Sequence, residues 1–353
     1  MPISTELWSE RIKAQKPYIA GEQPKNSNLI KLNTNENPYA PAAGDALLRL
    51  YPDPDAAGLC AAIAEVSGVT PERVFAGNGS DEVLAFAFIA FFGGGKVYAP
   101  DITYSFYPVW ASLFGAEYIT IPLDAHFDIC ADDYLTLDGG VILANPNAPT
   151  GKVLPLRDVE RIVSANPDRV VIIDEAYIDF APDGSSAVPL TVKYPNLLVT
   201  QTASKAYSLA GLRVGWAIGS ESLIAALNTV KNCVNSYTID RNAQETASET
   251  ISARAVFRRN TERVIRARDW TTAELRRLGF SVLDSGANFV FAKPPAPIHG
   301  EAGKSASELL QQLRERGILI RYFNLPRIDE YLRISIGTSE QMKALISALE
   351  ELL

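Results

Sequence analysis

Lys205 is the residue whose surroundings most suggest chemistry. In Thr200-Gln201-Thr202-Ala203-Ser204-Lys205-Ala206-Tyr207-Ser208-Leu209-Ala210-Gly211-Leu212-Arg213 it follows an apolar run among hydroxyls and small residues, with Arg213 eight positions later. An isolated lysine belongs on the surface; one with such neighbours points into a pocket. An unperturbed ammonium of pKa ~10.4 is neutral in only about one molecule in two thousand at pH 7. Burial and nearby cations lower that pKa, and a Schiff base removes the problem.

Three other segments end in polar clusters. Ala76-Gly77-Asn78-Gly79-Ser80-Asp81-Glu82 stands directly before an apolar helix. Ser80 or Asp81 suits a cap, and the first-turn N–H groups suit a phosphate. Capping alone explains the segment as well, and its spacing is neither GxGxxG nor a Walker loop. Asn145-Pro146-Asn147-Ala148-Pro149-Thr150-Gly151 makes a stiff turn after an apolar strand. Asp174-Glu175-Ala176-Tyr177 closes another strand. A carboxylate there is costly unless it meets a cation, although a helix-capping aspartate is the plainer explanation.

These clusters need elements to hold them. Apolar runs at Lys96–Ala99, Glu117–Ile121, Val141–Ala144, Arg169–Ile173, Leu197–Thr200 and Arg213–Ile218 read as strands. Helical segments separate them at Ala56–Ser67, Val83–Phe92, Ser105–Phe114, Leu156–Ala165 and from Glu221. Unalternating apolar strands between amphipathic helices imply an α/β fold with a mostly parallel sheet covered on both faces. In such sheets ligands bind beyond the carboxyl ends of the strands. Asp240–Leu278 reads as a connecting helix, whole or broken. Strands at Ser281–Leu283, Phe289–Ala292, Ile318–Tyr322 and Tyr331–Ile336, with helices at Ser305–Arg316 and Ser339–Leu353, imply a smaller α+β domain. The expected division is an N-terminal arm over 1–40, a large domain over 41–239 and a small domain over 240–353.

Composition narrows the function classes. The 353 residues are 47% hydrophobic and 21% charged, which excludes a disordered chain. A net charge of −8 gives no global attraction to nucleic acid or anionic membrane. The longest apolar run, Val83–Phe92, is about half a membrane span. Three scattered cysteines and no CxxC or HxxxH spacing argue against disulfides and a metal site. With no secretory signal visible, a cytoplasmic setting is expected. Only His126 and His299 are present, both in polar, loop-like contexts, so histidine acid–base chemistry is not expected.

GNGSDE, NPNAPTG, DEAY and SKAYSLAGLRVG, in that order, resemble the fold-type I pyridoxal-phosphate aminotransferases. LNTNENPY, LYPDP at Leu50–Pro54 and LRISIGT at Leu332–Thr338 most resemble the histidinol-phosphate branch of that family. The resemblance implies pyridoxal 5′-phosphate as cofactor and amino acids and keto acids as substrates. It implies transfer of an amino group from histidinol phosphate to 2-oxoglutarate. Lys205 is implied as the lysine that holds the cofactor and then shuttles a proton, and Asp174 as the partner of the ring nitrogen. Asn145 and Tyr177 are implied to hydrogen-bond the ring's phenolic oxygen, with Tyr104 on the ring face. For Tyr104 packing is the bland alternative, since Tyr107 is also near. Gly79, Ser80, Asp81, Thr202, Ser204 and Arg213 are implied to cup the phosphate. Tyr51 is implied to reach that phosphate from the partner subunit of a homodimer. Arg333 is implied to bind the α-carboxylate of glutamate and Arg321 the substrate phosphate or distal carboxylate, with Tyr18 and Asn288 as lesser contacts.

Two positions depart from the family pattern: Ala203 replaces a larger apolar residue and Ala148 a second asparagine. A broad or aromatic aminotransferase and an O-phosphothreonine decarboxylase-like lyase share most of these residues. A dehydrogenase would show GxGxxG near an early strand, and that pattern is missing.

Overall fold

The computed structural model describes residues 4–23, 30–295 and 304–353, so His299 lies outside the described residues. In chain order the strands are β1 (Val74–Gly77), β2 (Lys96–Pro100), β3 (Glu117–Ile121), β4 (Gly140–Ala144), β5 (Val171–Asp174), β6 (Leu197–Thr202), β7 (Gly215–Ile218), β8 (Ser281–Val282), β9 (Phe289–Lys293), β10 (Arg321–Tyr322) and β11 (Leu332–Ser335). The helices are α1 (Glu10–Lys13), α2 (Ala57–Ser67), α3 (Gly79–Ala87), α4 (Tyr107–Phe114), α5 (Leu156–Ala165), α6 (Glu221–Val234), α7 (Arg241–Ser252), α8 (Arg254–Arg277), α9 (Ala306–Glu315) and α10 (Ser339–Leu352).

The first sheet has the order β1-β7-β6-β5-β4-β2-β3. Its pairs from β3 across to β6 are parallel, while β7 runs antiparallel to both β6 and β1. Successive side chains of the central strands enter opposite cores, as pleating requires. Val141, Leu143, Val171, Ile173, Leu197 and Val199 share one core, while Ile142, Ile172, Leu198 and Ala217 share the other. Being apolar on both faces, these strands show no alternation in sequence. The second sheet, β10-β11-β9-β8, is antiparallel throughout. Val290, Ala292, Leu332 and Ile334 of its strands pack on Leu275 of α8, Leu309 and Leu313 of α9, and Met342 and Leu345 of α10. Capping boxes at Ser305/Glu308 and Thr338/Gln341 set the starts of α9 and α10.

Several boundaries differ from the sequence-based expectation. The helix expected at Val83–Phe92 begins at Gly79, and its last turn, Phe88–Phe92, widens to a π-turn. The connecting helix breaks at Ala253, whose ψ of 56° leaves the helical range. β1 was not anticipated: Val-Phe-Ala-Gly is four residues long and half small ones. No helix among the described residues is long and apolar enough to cross a membrane.

Gly215, at the start of β7, lets the chain leading into α3 lie against the sheet. A Cβ there would stand 2.2 Å from the backbone nitrogen of Ser80. Backbone cannot rotate aside, so Gly215→Ala should destabilise the fold by about 1–3 kcal/mol. Exposed Gly58 in α2 has open space around it, and Gly58→Ala should be neutral or stabilising. Denaturant melts of the two variants check this; equal stabilities would contradict the packing described.

Candidate active site

Parallel pairing aligns Ala144, Asp174 and Thr200 across β4, β5 and β6. The segments that follow these strands, together with the first turn of α3, enclose a cavity of about 150 Å³. Ser80, Asp81, Tyr104, Asp174, Tyr177, Thr202, Ser204, Lys205 and Arg213 line it, as do four alanines: Ala144, Ala148, Ala176 and Ala210.

Asp174 forms the floor. It is 5% exposed and makes no salt bridge among the described residues. The Tyr107 hydroxyl donates to its Oδ2 at 2.7 Å, and Thr200 Oγ1 lies 3.4 Å from Oδ1. Burial pushes its carboxyl up to about 6, against the pull of the Tyr107 and Ala176 hydrogen bonds. Lys205 stands at the rim. Its side chain is exposed as a whole, yet crowding around the ammonium, seconded by the positive charge of Arg333, lowers its pKa. Its Nζ lies 5.5 Å from the centre of the Tyr177 ring. Burial raises the Tyr177 hydroxyl above its ordinary range, so it is a donor at neutral pH.

At one side, α3 presents its N-terminus. Arg213 reaches Asp81 Oδ2 at 3.1 Å and Ser204 Oγ at 3.5 Å. Thr202 Oγ1 donates to Ser204 Oγ at 2.9 Å, and Tyr104 Oη donates to Asp81 Oδ1 at 3.0 Å. Gly79 backs Arg213 without lining the cavity: with φ of 79°, its missing Cβ would meet the guanidinium at 2.5 Å. Arg213 itself adopts φ of 58°, a left-handed backbone that a branched or long residue holds only under constraint.

The second sheet supplies a cationic rim. Arg333 lies 5.3 Å from the rings of both Phe289 and Phe323, and Arg321 lies 5.2 Å from Phe323. Phe289 meets Tyr177 edge-on at 5.1 Å, which ties this rim to the cavity. Arg321 and Arg333 face each other across β10 and β11. Asn288 is half-buried, and its carbonyl accepts from Ile336 N at 2.9 Å.

Three expected residues sit elsewhere. Asn145 does not line the cavity: its Oδ1 accepts from Leu154 N at 2.9 Å and its Nδ2 donates to Leu154 O at 3.0 Å, locking the turn after β4. The motif reads as an amide facing a ligand, but the buried backbone of Leu154 takes it instead. Tyr51 is exposed and stacked on Tyr237 at 4.5 Å, and Tyr18 is exposed, with its backbone nitrogen bonded to Asn232 O. Neither lines the cavity of its own chain. Sequence reasoning missed Tyr107, Phe289 and Phe323. Tyr107 opens α4, and its ring meets that of Tyr104 edge-on at 5.5 Å.

Without a bound cation, Asp174 titrates from near 4 when unfolded to about 6 when folded. The native chain then holds the extra proton, so stability falls as pH rises through that window. For the cofactor-free protein, Asp174→Asn should raise stability at pH 8 by on the order of 2–3 kcal/mol and leave it unchanged near pH 3, below the unfolded pKa. Thermal melts across that range check it; an equal effect at both pH values would contradict the desolvated carboxylate.

The chain matches the model of aminotransferase class I and II over residues 27–349. It is 51% identical over 364 residues to the histidinol-phosphate aminotransferase of Aromatoleum aromaticum, covering 99% of both chains. It is 51% identical over 361 residues to histidinol-phosphate aminotransferase 2 of Thiobacillus denitrificans, covering 99% of this chain and 98% of that one. The solved histidinol-phosphate aminotransferase of Clostridium acetobutylicum superposes with a TM-score of 0.79 at 23% identity, over 87% of this chain and 91% of that chain. A family match over nine-tenths of the sequence, joined to full-length relatives at half identity, leaves one assignment: the chain belongs to the class I and II aminotransferases.

Proposed function

We propose that the chain transfers an amino group from L-histidinol phosphate to 2-oxoglutarate with pyridoxal 5′-phosphate bound in the cavity. The observation that carries this is Asp174, a buried carboxylate with no cation among its described partners, facing a cavity with a lysine at its rim. A protonated pyridine nitrogen is the cation such a carboxylate lacks. The donor set fits the rest of the cofactor: Arg213, Ser204, Thr202 and the first N–H groups of α3 suit a phosphate, and Lys205 suits an aldehyde.

When bound, pyridoxal phosphate supplies an electron-withdrawing ring that acidifies the substrate Cα–H. Asp174 keeps a proton on the ring nitrogen, because an opposite charge at ~4–6 Å shifts a pKa by one to three units. Lys205 is held with a lowered pKa beside the positive charge of Arg333, so its Nζ can accept the Cα proton and return it. Tyr104, pinned to Asp81 and lining the cavity, would pack against the ring face. Arg333 holds the α-carboxylate of glutamate, and Arg321 holds the phosphate ester of one substrate and the distal carboxylate of the other. Both guanidiniums lie against phenylalanine rings, Arg333 at Phe289 and Phe323 and Arg321 at Phe323, which helps orient them. Tyr51, exposed on its own chain, reaches the phosphate of a partner subunit, and Tyr18 extends with the arm toward the same interface; the working unit is a homodimer in the cytoplasm.

Lys205→Ala should fold as the parent does and lose transamination; more than a few per cent of residual activity without added amine would contradict its role. Arg321→Ala should lower kcat/KM for histidinol phosphate by roughly 10–100-fold, the worth of a hydrogen bond to a charged group at about 1.5–3 kcal/mol. Arg333→Ala should penalise glutamate more than histidinol phosphate, which has no α-carboxylate, because the loss of its charge beside Lys205 falls on both substrates alike. Initial rates for both substrates with both variants check the division of labour. Equal losses everywhere would defeat it, and a parent enzyme that favours phenylalanine over histidinol phosphate would make it a broad aromatic aminotransferase.

A further inference from the structure

We propose that, among the described residues of this chain, Tyr177 is the only side chain that hydrogen-bonds the ring hydroxyl oxygen of the cofactor, and that Ala148 leaves a second donor position at that oxygen unfilled. The inference rests on the functional reading above and on the order of substituents around a pyridoxal ring. C4, the carbon that bears the aldehyde, lies opposite the ring nitrogen. The hydroxyl at C3 and the phosphate arm at C5 stand on either side of it. With the nitrogen at Asp174 and the phosphate at Ser80, Ser204 and Arg213, the hydroxyl oxygen faces the wall across from the phosphate cup.

Elimination identifies that wall. Tyr104 is bonded to Asp81, and the Ala210 carbonyl accepts from Arg213, which places both with the cup. The lining residues left over are Ala144, Ala148, Ala176 and Tyr177, and only Tyr177 carries a polar side chain. The asparagines of the turn after β4 do not replace it. Asn145 is closed on Leu154 through both ends of its amide. Asn147 donates to Ile102 O at 2.9 Å and Thr150 Oγ1 at 3.1 Å, and its Oδ1 accepts from Thr103 at 2.9 Å. Ala148 is the residue of this turn that lines the cavity, packed with Ala287 and Phe289.

The consequence is electrostatic. A donor on the ring oxygen stabilises its negative charge, most of all once the linkage between Lys205 and the cofactor has lost its proton and no longer offsets that charge. Each donor therefore lowers the pH at which that linkage titrates. One donor in place of two would keep the linkage protonated to higher pH.

The test is a visible-absorbance titration, from pH 5 to 10, of the full chain loaded with pyridoxal 5′-phosphate. Ala148→Asn should lower the midpoint of the band change by about one pH unit, a tenfold change in proton affinity. Ala148→Ser, which asks less of the packing around Phe289, should shift it the same way by less. Tyr177→Phe should raise it. Asn145→Ala should lower the melting temperature and leave the midpoint in place. A midpoint that moves with Asn145→Ala and stays put in both Ala148 variants, with cofactor content matched, would overturn the inference alone. A parent chain that develops no visible band with pyridoxal 5′-phosphate would overturn the functional reading and this inference together.

Discussion

The carboxylate of Asp174 is the constraint around which the site is built. It ends a strand that is apolar on both faces, and the parallel register of β4, β5 and β6 fixes where it stands. Placing a charge there is unfavourable by desolvation, and the two hydroxyl contacts, from Tyr107 and Thr200, relieve only part of it. The fold therefore carries a deficit that a bound cation removes. That deficit ties cofactor binding to stability, since whatever binds the native chain selectively stabilises it by mass action.

The rest of the cavity is arranged by charge relative to that floor. Lys205 and Arg213 come from one short stretch after β6, yet they face different chemistry: one amine is desolvated, while the guanidinium stays partly exposed and bonded to Asp81 and Ser204. Gly79 and Gly215 allow this crowding, because side chains there would collide with the Arg213 guanidinium and the backbone of Ser80. The second sheet brings two arginines to the rim on adjacent strands, both against the Phe323 ring. A rim with two cations suits substrates that carry an anion at each end or at only one.

Much of this is legible in the sequence because the central strands are unbroken apolar runs and those at the site end in polar clusters. Leu156–Ala165 was read to the residue, since its apolar positions repeat at helical spacing and Pro155 precedes it. β1 was missed because four residues, two of them small, carry no periodic signal. Lys205 and Asp174 stand out in the sequence because each is a costly residue for its place, whereas Arg213 enters through the family resemblance; all three line the cavity. An asparagine in a stiff turn looks the same in sequence whether its amide faces a cofactor or the backbone, and the Asn145 amide bonds Leu154. Tyr107 was underrated because nothing local separates a tyrosine that packs from one that donates to a carboxylate 67 residues away.

The central claim is that Asp174 holds a protonated ring nitrogen. The most direct measurement is the ¹⁵N chemical shift of pyridoxal 5′-phosphate labelled at that nitrogen and bound to the protein at pH 8. The account predicts the shift of a protonated pyridinium in the parent chain and that of a neutral pyridine in Asp174→Ala. A neutral pyridine shift in the parent, with Asp174 intact, would contradict it.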